Sequence, residues 1–173
     1  MRVIAGTARS LRLKTPEGTD TRPTTDRIKE TLFNMLQPYL GGAVFVDLFS
    51  GSGGIGIEAL SRGARHAYFV ENDKKALTCI MANLQFTRLA DQATVLKTDV
   101  LSALYGIHEK EADIVFMDPP YDCGHEKRVL AVLKELPWVT GNTLIVMETS
   151  LRSDVTWIEE LGFSLEKEKC YKT

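Results

Sequence analysis

The stretch Val44-Phe45-Val46-Asp47-Leu48-Phe49-Ser50-Gly51-Ser52-Gly53-Gly54-Ile55-Gly56 constrains the fold more than any other part of the chain. A short apolar run ends on an acid, a glycine-rich turn follows, and Ile57-Glu58-Ala59-Leu60-Ser61-Arg62 continues as a helix. That order is a buried strand, a ligand-sized loop and a helix N-terminus. Gly51, Gly53 and Gly56 match the G-x-G-x-x-G spacing of dinucleotide-binding loops. Asp47, four residues before the first glycine, changes what such a loop can hold. A carboxylate there repels a pyrophosphate and attracts the ammonium of a methionine moiety, so the loop leans towards S-adenosylmethionine.

The rest of the chain keeps the alternation. A helix over 56–62 ends at Gly63, a natural helix stop. A strand is expected over 67–71, a helix over 74–84, a strand over 93–97 and a helical turn over 100–106. Then come a strand at 114–117, a helix at 126–135, a strand at 143–148, a helix at 153–161 and a last strand from Phe163. Strands alternating with helices of this length imply a mostly parallel sheet covered on both faces, an α/β fold. Ahead of it, residues 2–5 and 10–14 read as a hairpin, with Leu11 and Leu13 alternating with Arg12 and Lys14. Thr24 or Thr25 caps a helix whose apolar stripe is Ile28, Leu32, Met35 and Leu36. That helix is expected to stop near Gln37-Pro38. No linker or repeat interrupts the chain, so 1–173 reads as one domain, with 1–40 an N-terminal hairpin and helix extension.

Composition removes several function classes. No run of about 18 apolar residues is present, so no transmembrane helix is expected. The N-terminus lacks the apolar core of a signal peptide. Cys79, Cys123 and Cys170 are odd in number and lie far apart, which suits reduced thiols in the cytoplasm, and the three histidines have no zinc-site spacing. The net charge of −2 hides an asymmetry. Residues 1–30 hold seven Lys and Arg against four Asp and Glu, a net of +3, so the remainder carries −5. Arg2, Arg9, Arg12 and Lys14 stand in the first fourteen residues without an acid, a stripe able to meet phosphates or merely a solvated hairpin.

Ligands of open parallel sheets bind beyond the carboxyl ends of the strands, where strand order reverses. Four acids stand at four consecutive strand ends: Asp47, Glu71, Asp99 and Asp118. Any one alone could be a loop acid or a helix N-cap. Together they describe an adenosine with an amino-acid tail. Glu71 lies twenty residues past Gly51, the spacing at which an acid takes two ribose hydroxyls, and Asp99 is placed to accept from an adenine amine. Phe49, Ser52, Gly53, Asn72 and Val100 flank these positions and complete the expected cofactor contacts.

Asp118-Pro119-Pro120-Tyr121 is the most specific signal. Neither proline donates an N–H, so the two carbonyls and the aspartate stand as acceptors for an exocyclic amine. Tyr121 adds a plane on which a base can stack. With this segment, the chain resembles the class I S-adenosylmethionine-dependent methyltransferases, a Rossmann-like fold, and among them the amino methyltransferases with an (Asp/Asn)-Pro-Pro-aromatic motif. More narrowly it is similar to the bacterial small-subunit ribosomal RNA guanine-N2 methyltransferase family. The residues that carry this are 2–6 (Arg-Val-Ile-Ala-Gly), Arg22-Pro23-Thr24, Glu30-Thr31-Leu32-Phe33-Asn34, 47–53, Glu58-Ala59-Leu60-Ser61-Arg62-Gly63-Ala64, Glu71-Asn72-Asp73 and Asp118-Pro119-Pro120-Tyr121.

The resemblance implies methyl transfer to the N2 amine of a guanine in 16S rRNA, in a partly assembled small subunit, by a cytoplasmic monomer that needs no metal. It makes Asp118 to Tyr121 the catalytic segment. Arg22 and Thr24 would line the pocket from the N-terminal side, with Arg2, Arg9 and Arg12 on the RNA. The chain also departs from the class. Class I methyltransferases close the sheet with an antiparallel strand beside the fifth, whereas here residues 163–171 offer only the strand before it. Other readings are an adenine-N6 methyltransferase, since the same motif grips either amine, and a C5 methyltransferase using Cys123. An NAD-dependent oxidoreductase and an RNA-binding assembly protein on a methyltransferase scaffold complete the set.

Overall fold

A computed structural model of the chain describes residues 1–18, 25–121 and 123–171. Helix α1 (Asp26–Leu40) precedes β1 (Val44–Leu48), α2 (Gly54–Ser61), β2 (His66–Val70), α3 (Lys74–Phe86), β3 (Ala93–Leu96), α4 (Val100–Leu104), β4 (Ile114–Met117), α5 (His125–Leu133), β5 (Leu144–Met147) and α6 (Trp157–Glu160). The five strands form one sheet in the order β3-β2-β1-β4-β5, every pair parallel. Strand order reverses between β1 and β4, which puts the topological switch point above Leu48 and Met117.

Burial follows from the pleat. Phe45, Phe69, Ile114 and Phe116 face a core built with α1, α2 and α3, while Val46, Leu48, Val115 and Met117 face α4, α5 and α6. Central strands β1 and β4 are buried throughout; β4 reads as an unbroken apolar run, and Asp47 alone interrupts β1. Edge strands β3 and β5 are half-buried along their whole length.

Several expectations are corrected. The N-terminal segments fold back, but they pair through a single antiparallel bridge, Arg2 with Arg12, instead of two strands. Bonds from Val3 N to Leu11 O and from Ser10 N to Val3 O hold them. The ladder stops because the N–H groups of Ile4 and Ala5 donate to the carboxylate of Glu58. Helix α1 runs past Pro38 to Leu40; in the last turn the proline forfeits only its own bond, to the carbonyl of exposed Asn34. Helix α2 begins at Gly54, two residues early, and α6 is a single turn. The strand expected from Phe163 does not form, because residues 163–170 join no ladder and, apart from half-buried Phe163, are exposed; β5 is the edge.

Candidate functional site

The loop after β1 turns sharply. Phe49 has φ +58, a left-handed conformation that strains a bulky side chain and recurs at functional sites. It sets the Phe49 ring 5.6 Å from that of His125, at the start of α5. Gly53 has φ +83 and caps α2. Gly56 serves packing instead: a Cβ there would enter the Phe69 ring, so the residue lets α2 lie against β2.

The loop's amides are occupied by its acids. Gly51 N donates to Glu71 Oε2 at 2.9 Å, and Gly56 N to Asp47 Oδ2 at 3.1 Å. Two carboxylates thus fill positions where a dinucleotide loop offers N–H groups to a pyrophosphate. That arrangement opposes the NAD reading and fits a ligand with a cationic tail. Asp47 is fully buried, and burial pushes its carboxyl up to about 8; Asp118 and Glu71 add to the rise, and the Gly56 N–H opposes it. A buried carboxyl in that state is relieved by an arriving ammonium.

Glu71, half-buried at the tip of β2, also accepts from Asn72 N and Asp73 N at 2.9 Å each through Oε1. Asn72 is exposed beside it. Asp99 is exposed and caps α4 by accepting from Ser102 N at 3.0 Å, and hydrogen bonds from Ser102 hold it below the usual carboxylate range. Half-buried Val100 opens that helix. Ser52 is buried, and its carbonyl accepts from Asn83 Nδ2 at 3.0 Å.

Across the switch point, Asp118 follows β4. Burial pushes its carboxyl up to about 7, with Glu148 adding like charge. Pro119 is buried and Pro120 exposed, while Tyr121 presents 48% of its surface. Cys123 lies exposed nearby, its Sγ donating to Tyr121 O at 3.4 Å. The structure therefore brings together the tips of β1, β2 and β4, with Asp99 on the edge strand beyond.

The N-terminal arm leans on this loop. Asn83 donates to the carbonyls of both Lys14 and Ser52, and the Met1 thioether lies against Gly54. Arg9 and Arg12 are exposed, whereas Arg2 is engaged by Asp26 at 2.8 Å on α1. Arg22 and Thr24 lie outside the described residues. Under the arm, Glu58 accepts from Lys29 Nζ at 3.0 Å and Arg62 Nε at 2.8 Å, with Lys29 and Glu58 fully buried. Burial lowers the Lys29 ammonium, and Glu58 opposes that.

Sequence reasoning missed Glu58, Asn83 and Glu148. Glu58 was visible as a lone charge in an apolar helix. Glu148 was visible as the acid at the end of the fifth strand, completing a series read only to the fourth.

The Conserved hypothetical protein 95 family matches residues 1–172. YlbH of Bacillus subtilis, whose name carries a provisional rRNA methyltransferase assignment, is 43% identical over 150 residues, 86% of this chain and 82% of its own length. Ribosomal RNA small subunit methyltransferase D of Escherichia coli K12 is 35% identical over 169 residues, 98% of this chain and 84% of its own. Among solved structures, yhhF of Escherichia coli, a provisionally assigned methyltransferase, is 34% identical with a TM-score of 0.83, covering 99% of this chain and 92% of its own.

Proposed function

The chain belongs to the Conserved hypothetical protein 95 family, together with the small-subunit ribosomal RNA methyltransferases D, and from that premise we propose the reaction it carries out. It transfers a methyl group from S-adenosylmethionine to the N2 amine of one guanine in 16S rRNA, within a partly assembled small subunit. It does so as a monomer in the cytoplasm. Bound at the loop, S-adenosylmethionine supplies a methyl group already activated on a sulfonium. The observation that carries the reading is the placement of Asp118-Pro119-Pro120-Tyr121 across the switch point from Asp47.

Asp47 neutralises the ammonium of the donor. Glu71 turns its remaining lone pair to the ribose, and Asp99 its second oxygen to the adenine amine, each already oriented by backbone N–H groups. Phe49, Gly51, Ser52, Gly53, Asn72 and Val100 complete the contacts to the donor. Asp118 and the proline carbonyls accept from the two amine protons, which turns the nitrogen lone pair out of the ring, and Tyr121 stacks on the base. As the N–CH3 bond forms and the S–CH3 bond breaks, the amine releases one proton. Asp118, at about 7, is matched to receive it near neutral pH. Arg9 and Arg12, with Arg2, Arg22 and Thr24, meet the RNA from the N-terminal side. Positioning and exclusion of water supply most of the acceleration.

The test supplies methyl-labelled S-adenosylmethionine with naked 16S rRNA, small-subunit particles and DNA, followed by nucleoside analysis. N2-methylguanosine from the particle is expected. Label in N6-methyladenine or in DNA would overturn the substrate. Label in 5-methylcytosine would point to the Cys123 thiol, and binding of NADH without S-adenosylmethionine to an oxidoreductase.

A further inference from the structure

Strands β4 and β5 run in register, Met117 beside Met147, so the next pair along the strands is Asp118 beside Glu148. The Glu148 N–H donates to the Met117 carbonyl at 2.9 Å, which ties Glu148 to the residue just before the Asp-Pro-Pro-Tyr segment. Neighbouring parallel strands lie about 4.8 Å apart, and side chains in register leave on one face. Met117 and Met147 face α4–α6, whereas Phe116 and Val146 face α1–α3. One further step of the pleat turns Asp118 and Glu148 to the α1–α3 face, the face of Asp47.

Glu148 is half-buried, and no protein donor among the described residues meets its carboxylate, whose oxygens stay open to solvent. Asp118 is in the same condition. Every other strand-end acid of this site already holds backbone N–H groups. Two half-buried acceptors side by side that no protein donor occupies are matched to a ligand that brings adjacent N–H groups.

We propose that Glu148 is the residue that selects guanine, accepting the base's N1–H while Asp118 and the proline carbonyls hold the N2 amine. The assignment rests on the guanine-N2 reading given above and deepens it. Guanine presents N1–H and the N2 amine side by side on its pairing edge, two donors for two neighbouring carboxylates. Adenine presents its amine beside an N1 lone pair, which a carboxylate repels. The Asp-Pro-Pro-Tyr segment grips either amine and cannot discriminate; Glu148 can.

The test replaces the methylated guanine of the substrate RNA by 2-aminopurine, which keeps the N2 amine but has a lone pair at N1. The wild-type chain is expected to use it at least about tenfold less well than guanine in kcat/KM, the loss of one good hydrogen bond. Glu148→Gln can offer N–H to that lone pair, so its guanine to 2-aminopurine ratio is expected to fall by about tenfold or more. Circular dichroism reports whether the variant folds; if it does not, the wild-type comparison decides alone. Equal use of the two bases by the wild type overturns the role of Glu148. So does an unchanged ratio in the folded variant while guanine is still methylated. Methylation of adenine with none of guanine overturns the underlying reading and the assignment with it.

Discussion

Asp47 shows how a single residue can set function against stability. Its carboxyl is held at about 8 and that of Asp118 at about 7, both above their ordinary 3.8. The folded state therefore binds these protons more tightly than the unfolded chain does. The stability they confer is fully present below about pH 4 and is lost as pH rises through 7 to 8. Urea unfolding of the ligand-free chain at pH 5, 6.5 and 8 should show a falling midpoint. Asp47→Asn should flatten part of that fall and stabilise the ligand-free chain at pH 8 by roughly 1–3 kcal/mol. The same variant should lose tenfold or more in S-adenosylmethionine affinity by calorimetry. A variant destabilised at pH 8 with affinity intact would remove Asp47 from the cofactor site. The acid itself was legible in the sequence because it ends an otherwise apolar strand. Its near-complete burial was not legible, since that depends on α2 folding back over the loop and presenting the Gly56 N–H.

At the scale of elements, the buried cluster under the arm holds three segments to one carboxylate. Glu58 on α2 receives Lys29 from α1, Arg62 one helical turn on, and the Ile4 and Ala5 amides of the arm. Truncating one member of such a group strands the others, so Glu58→Ala should cost about 3–5 kcal/mol, read by urea denaturation. A loss below about 1 kcal/mol would mean that the arm is held by its apolar contacts alone. Strand positions were readable from periodicity and turn residues, and Ile114–Met117 is met residue for residue. Boundaries set by tertiary partners were not. Helix α1 tolerates Pro38 because the proline lies in the last turn, where it forfeits only its own bond. The expected hairpin ladder yields because a glutamate over fifty residues away outcompetes the facing strand. The strand expected from Phe163 carries suitable alternation, but periodicity cannot reveal whether a neighbour is present to pair with it.

For the whole molecule, charge is divided between binding surfaces. The acidic strand ends form the proposed cofactor site and the basic arm leans on the same loop, so a net charge of −2 conceals two regions of opposite sign. Arg9→Glu together with Arg12→Glu should weaken RNA binding at 0.1 M salt by about tenfold or more and reduce the salt slope by about 2. S-adenosylmethionine affinity should be unchanged. An unaltered salt slope would show that the arm is only a solvated surface.

The docking of that arm also has a consequence in time. Ile4, Ala5 and Ala8 find their partners at Glu58 and Ser61, separations of 54, 53 and 53 residues. During synthesis at about 5–20 residues per second, the arm therefore emerges roughly 3–10 s before anything exists for it to dock on. The arm is made before the helix it docks on and settles only after it, and until α2 emerges it stays a loose cationic segment close to the ribosome that is making it.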